Sequence, residues 1–303
     1  MKIPFPLWAR KTCLVASAAI LLSACNPADS RHEDPGTGPD EFDFTPAYTE
    51  PKGTVHGEDF FPLAPGTQIP FTVTFTDTTQ YSALGMDMGT PISESGTKSS
   101  STAYTGRVEN LPARRVVLPS GAYDLVPEVT FLKEQKAGAV EYKDTTFYEK
   151  LAKAVNLRAR ASEGGARVED ADAVFLKRLP LKVGDTWAYG KTDSGVTSSG
   201  RYYVTGMETI TVGGRTLRAI RLDQMGKSKG TSTDDGGATA VSFESEIHQV
   251  AWLAEGVGQV KQMWRSTTSS SRVTNDNNTH VNLAQTAVRG MVMETTGEPG
   301  PIR

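Results

Sequence analysis

"RYYVTGMETITVGGRTLRAIRLDQ", residues 201–224, holds two runs of alternating apolar and polar residues broken by Gly213-Gly214. A period of two marks a strand with one sheltered face, and a glycine pair between two such runs marks a hairpin. The pattern continues outward. "PFTVTFTD" (70–77) alternates Phe71, Val73 and Phe75 with polar residues, and "AWLAEGVGQVKQMWRS" (251–266) and "THVNLAQTAVRGMVMETT" (279–296) are further short runs. Ser/Gly/Asp clusters such as "STDDGG" (232–237) separate them. The expectation is a mainly β fold, an antiparallel meander forming a half-barrel, a barrel or a sandwich.

One stretch departs from this pattern. "TTFYEKLAKAVNLRARAS" (145–162) is rich in helix formers, with a Glu149–Lys153 pair one turn apart, and it predicts a helix. A second feature concerns repetition. Pro-Leu-x-x-Gly occurs at 62–66 and at 180–184, an offset of 180 − 62 = 118. "LAKAV" (151–155) resembles "LAEGV" (253–257), an offset of 253 − 151 = 102, and "RRVVLPSGAYDLVPEVTF" (114–131) has the hairpin look of 208–222. The common order suggests two related β-rich units, 60–175 and 176–296, or one domain spanning both. The helix and the repeat conflict at 151–155, because the repeat would set a helix opposite a strand.

The net charge of −3 conceals an uneven distribution. Residues 26–59 carry nine acids against Arg31 and Lys52, whereas 60–303 hold 32 − 3 − 2 = 27 bases and 35 − 9 = 26 acids. The body is near neutral, so no basic field points to nucleic acid. Residues 25–59, rich in proline, glycine and acid, read as a disordered tether.

Ahead of the tether, three bases in residues 2–11 precede an uncharged run at 13–22, long enough for a signal peptide and too short to span a membrane. Leu22-Ser23-Ala24-Cys25 resembles the lipobox of bacterial lipoproteins. That resemblance implies a signal peptide over 1–24 recognised through Leu22, Ser23 and Ala24. It also implies a lipid anchor of diacylglycerol and palmitate-type acyl chains on Cys25, and a place in the bacterial cell envelope. Asn26 after the cysteine favours the outer over the inner membrane of a Gram-negative cell. The other cysteine, Cys13, falls within the signal, so the mature chain has no disulfide and no thiol chemistry.

"LPLKVGDTWAYG" (179–190) and "WLAEGVGQVKQ" (252–262) are similar to segments of bacterial envelope proteins with curved half-barrel sheets. The relatives of that architecture, LolA-like carriers, cradle acyl chains on a concave face. This resemblance implies an apolar ligand and carries no catalytic residue. Trp187, Tyr189, Trp252 and Trp264 are the candidate ligand-facing aromatics.

The search for reactive groups yields little. His32 and His56 fall in the tether, and His248 sits in an apolar strand where a hydrogen-bonded structural role is expected. Ser95-x-x-Lys98 lies in a polar loop-like stretch without the partner motifs of serine acyltransferases. No spacing suits a metal, and no cofactor is expected. The leading expectation is a lipid-anchored protein that binds an apolar ligand or envelope partner and is not an enzyme. The rivals are an envelope hydrolase using carboxylates such as Glu128, Glu141 or Asp223, and a purely structural surface lipoprotein.

Overall fold

Period two governs the architecture throughout. A computed structural model describes residues 44–87, 90–162, 169–176, 179–193, 196–233, 239–276 and 279–301, and these contain strands and no helix. The strands are β1 (Val55–His56), β2 (Thr67–Asp87), β3 (Thr90–Asn110), β4 (Arg114–Leu118), β5 (Gly121–Glu134), β6 (Glu141–Lys150), β7 (Val155–Ser162) and β8 (Glu169–Leu176). They continue as β9 (Leu181–Lys182), β10 (Thr186–Asp193), β11 (Val196–Val212), β12 (Arg215–Thr233), β13 (Thr239–Ala254), β14 (Gly258–Asp276), β15 (Thr279–Thr295) and β16 (Gly300–Pro301). One antiparallel sheet runs in the order β10-β11-β12-β13-β14-β15-β2-β3-β5-β6-β7-β8, with β4 added on β5 and β16 on β2. Its end strands, β8 and β10, do not pair with each other, so the sheet is open.

The sequence repeat has a structural counterpart. Each half is a six-stranded meander, β2-β3-β5-β6-β7-β8 and β10 to β15, and Pro-Leu-x-x-Gly leads into the first strand of each. Leu63 and Leu181 are 5% and 0% exposed and enter the same core. Gly66 and Gly184 both take positive φ, 77° and 91°, a conformation that favours glycine. Their amides donate to Asn110 O at 2.8 Å and Val204 O at 2.9 Å, each on the second strand of its own meander. Just beyond those acceptors the register slips by one residue, between Asn110 and Arg114 and between Val204 and Gly206. A second slip recurs in the fourth and fifth strands, at Phe147/Tyr148 and at Trp252/Leu253.

The helix expected over 145–162 is absent: β6, a turn at 151–154 and β7 occupy the segment. Its apolar residues follow a period of two from Val155, and pairing outweighs local propensity. Arg158 is the extra residue of a bulge, so Leu157 faces Tyr148 on one side of the sheet and Ala159 faces Phe147 on the other. Phe147 and Tyr148 are each 1% exposed, which a helix would not have given adjacent residues on an amphipathic surface. With the helix gone, "LAKAV" and "LAEGV" both fall at the connection between the fourth and fifth strands, but the paired bulges set Tyr148, not Leu151, at the place of Leu253.

The tether reading over 25–59 also needs correction at its C-terminal end, while 25–43 lie outside the described residues. Residues 44–59 pack against the body. Phe44 lies 5.3 Å from the rings of both Tyr203 and His248. Glu50 accepts from the Met207 amide at 3.1 Å and meets His56 Nε2 at 2.7 Å, and His56 is 6% exposed. Asp59 pairs with Lys150 at 2.7 Å. Two acids of this stretch, Glu50 and Asp59, have partners in the body, and Phe44 has a surface to cover.

The main core draws on both meanders. Phe60, Phe61 and Leu63 precede β2; Tyr148, Val155 and Leu157 come from the first meander; Trp187, Tyr202, Val204, Ile220, Leu222 and Leu253 come from the second. Ile220 is fully buried within it. Ile220→Ala should therefore cost about 2–5 kcal/mol. Urea unfolding would show this as a lower midpoint with an unchanged slope.

Candidate functional site

Register partners across the sheet define one sheltered face, which can be followed row by row. The lowest complete row is Trp187–Tyr202–Gln224–Gln249–Trp264–Met291–Phe75. Two rows higher comes Ser198–Ser228–Ser245–Thr268–Ala287–Thr79, a band of small side chains that ends at Lys98. The next row is Val196–Gly230–Phe243–Ser270–Gln285–Tyr81–Gly96, and above it stand Val241, Arg272, Leu283 and Ala83. Lower rows are filled by core. The row of Gly230, Phe243, Ser270, Gln285 and Tyr81, with its immediate chain neighbours, lines an open trough of about 870 Å³.

Glycine sets the shape of that floor. A Cβ on Gly230 would meet the Phe243 ring at 2.8 Å, and one on Gly96 would meet the Tyr81 hydroxyl at 2.9 Å. Each ring therefore rests on the glycine opposite it, an arrangement that pins a cross-strand pair and leaves the other ring surface toward the trough. Lys98 Nζ stands 5.1 Å from the Tyr81 ring centroid. Three strand spacings separate the rings, about 14 Å. Both are only partly buried.

The aromatics singled out in the sequence occupy other places. Trp187 is 3% exposed and stacks on Tyr202 at 5.1 Å, inside the core. Trp252 faces the opposite side of the sheet, where its indole N–H donates to Glu208 at 2.7 Å. Trp264 is on the sheltered face but packs against Phe71, Val73 and Met291. Tyr189 lies in β10 opposite Gly200, and its side chain falls outside the described residues. Leu22, Ser23, Ala24 and Cys25 also lie outside them. The trough's own aromatics, Tyr81 and Phe243, went unmarked; their signal is an aromatic residue set opposite a glycine, which becomes visible only once register is known.

Below the band of small residues lies a separate, partly enclosed cavity of about 110 Å³, lined by Phe61, Leu63, Phe71, Val73, Val108, Leu132, Met291 and Met293. Polar groups also face it: Asn110, Glu128, Thr130, Gln259 and Gln262. Asn110 and Gln262 are 5% and 4% exposed, and Asn110 Oδ1 and Gln262 Nε2 have no hydrogen-bond partner. Glu128, opposite Asn110 in register, keeps some surface toward the cavity but is enclosed by protein, and burial pushes its carboxyl up to about 7.

The three carboxylates considered for catalysis are not brought together. Glu128 faces the cavity, whereas Glu141 is exposed and paired with Arg107 at 2.8 Å. Asp223 is fully buried on the opposite side of the sheet, held by Arg221 at 2.8 Å and His248 at 3.2 Å. Burial alone would raise its pKa, but the hydrogen bonds from His248 and Arg221 and their charges hold it below the ordinary carboxylate value. Arg221 also binds Glu208 at 3.1 Å. This is a structural ion cluster beneath Phe44, and it gives His248 the hydrogen-bonded role expected of it. Ser95 and Lys98 lie in β3, not in a loop, three residues apart and so on opposite faces.

No protein-family model matches the chain, and no curated protein matches it. The chemistry must be read from the geometry.

Glu128 gives that reading a pH test. Its folded-state value of about 7 lies above its ordinary 4.5, so the folded chain holds the proton where the unfolded chain has lost it. Stability should fall as pH rises between those two values. Glu128→Gln should abolish that slope and make the protein more stable above pH 7, by at most about 3 kcal/mol. Urea midpoints of both proteins at about pH 5 and about pH 8 would measure it.

Proposed function

We propose that this chain is a bacterial envelope lipoprotein, held to a membrane by lipid on Cys25, which binds an apolar-bodied ligand of the lipid class in the open trough without altering it chemically. One observation carries the reading. The sheltered face continues beyond its core for several rows, bearing Phe243, Tyr81, Val241 and Leu283, with no layer of protein over it among the described residues. Apolar side chains on a concave face without an internal partner suit a ligand that supplies the cover. The trough's volume of about 870 Å³ lies within the range of small-molecule sites, roughly 300–1,000 Å³. The hydroxyls of Ser270 and its neighbours leave hydrogen-bonding positions for a polar head. The partly enclosed cavity is far below that range and does not suit an acyl chain. The lipobox resemblance supports the anchor, and Asn26 supports the outer membrane of a Gram-negative cell.

The trough is tested by titrating the unlipidated chain, residues 26–303, with a fluorescent fatty acid in detergent-free buffer. Binding is expected, weakened about tenfold or more by Tyr81→Ala combined with Phe243→Ala, because two ring contacts are lost. The thermal midpoint should fall only modestly, since each ring helps to hold one strand pair in register but neither is deeply buried. Equal affinity in the double variant would remove the trough from consideration. The anchor has a separate test. Cys25→Ser should block incorporation of labelled palmitate and leave an uncleaved precursor; a processed, labelled variant would disprove it.

A further inference from the structure

The two meanders build the same transverse row of the sheltered face from different chemistry. In the second, Val204–Leu222–Ala251–Gln262 are successive register partners just before the bulges. In the first, the equivalent row is Asn110–Glu128–Thr146–Arg160. The equivalence is fixed by the Gly66→Asn110 and Gly184→Val204 hydrogen bonds and by the matching register slips. The fold therefore accepts valine and leucine where the first meander has asparagine and glutamate. Burying polar groups is costly unless they are hydrogen-bonded, so packing alone does not account for them.

Asn110 and Glu128 border the partly enclosed cavity, where Asn110 Oδ1 is an acceptor without a donor and Gln262 Nε2 a donor without an acceptor. The cavity's 110 Å³ exceeds the roughly 10–15 Å³ that one water requires. Its remaining walls are mostly apolar, Met291 and Met293 among them, with Thr130, Tyr148, Gln259 and Thr295 as the other polar members. A group that suits this set must donate to Asn110, accept from Gln262, bring no second charge beside Glu128, and present a short apolar stem.

We propose that the cavity is a second binding site, distinct from the trough, which takes an uncharged carboxamide or protonated carboxyl group on a short alkyl stem. Both share a carbonyl acceptor and an adjacent donor in one plane, matched to Gln262 and Asn110. A carboxylate is disfavoured, because it would set a second acid beside Glu128, whereas Arg160 stands two strands from Glu128 in the row and does not line the cavity.

The full chain in detergent micelles, with carbon-labelled methionine methyl groups, provides the test, because Met291 and Met293 report from the cavity wall. Butyramide at any pH, and butyric acid only when protonated, should shift those two methyl signals, with a Kd in about the millimolar range for so few atoms. Asn110→Val combined with Glu128→Leu copies the second meander's row, and Gln262→Leu removes the donor. Each should weaken butyramide about tenfold or more while leaving the fold intact. The Tyr81→Ala/Phe243→Ala variant should bind butyramide as the unaltered chain does, which separates this site from the trough. Pentane binding as tightly as butyramide would show a merely apolar hole and overturn the assignment. So would silence of both probes, which would leave a water site. Unchanged binding in Gln262→Leu would overturn it as well, whether or not the double variant folds.

Discussion

Everything in this molecule depends on one mismatch: the strands are far longer than the core that holds them. A 21-residue strand such as β2 spans about 70 Å, against a usual five or six residues. Only its first third is well buried, through Ile69, Phe71 and Val73. There Leu63 and Leu181 enter one core from two sides and tie the meanders into a single curled sheet. Past that point the strands persist on pairing with their neighbours. The trough is the consequence, since the sheet keeps its curl and its alternation but has nothing of its own to enclose.

Such an arrangement tolerates length because hydrogen bonding between strands is satisfied row by row, whatever covers the face. It also needs devices that hold register where a core no longer does. The Phe243–Gly230 and Tyr81–Gly96 pairs serve in that way, locking four strands at one level across the open half. The outer side has its own fixings. Arg221, partly buried between Asp223 and Glu208, anchors the bulged part of β11 and β12, and residues 44–59 lie over that cluster. A buried ion cluster contributes less to net stability than to holding one arrangement over others, which suits a sheet prone to slip.

Much of this was legible in the residues. Alternation at 70–77 and 201–224 and the Gly213-Gly214 break specify strands and a hairpin, because period two is local. The Pro-Leu-x-x-Gly repeat was legible for the same reason: a leucine anchor and a left-handed glycine act within five residues. What was not legible depends on partners distant in sequence. Good helix formers at 149–154 outweighed the alternation that begins at Val155, whose meaning rests on pairing with β6 and β8. Tryptophans drew notice by size, but Trp187 and Trp252 are ordinary core and outer-face residues. Tyr81 and Phe243 stand more than 160 residues apart, and only the strand order sets them in one row. The tether's acids looked solvated because Met207, Lys150 and the rest of their partners lie far along the chain.

The pseudo-repeat gives a sharper way to separate scaffold from function than either half alone. Where the halves agree, as at Leu63 and Leu181, Gly66 and Gly184, or the paired bulges, a common fold is sufficient reason. Where they differ at equivalent positions, the fold has shown that it can be built both ways, and a costly choice needs another cause. Glu128 in place of Leu222 is the costliest such difference, a carboxyl so enclosed that burial raises it to about 7. Asn110 in place of Val204 leaves a buried oxygen without a partner in the same cavity. Two departures from the repeat, adjacent in register and facing one cavity, are explained by a single occupant more economically than by two independent defects.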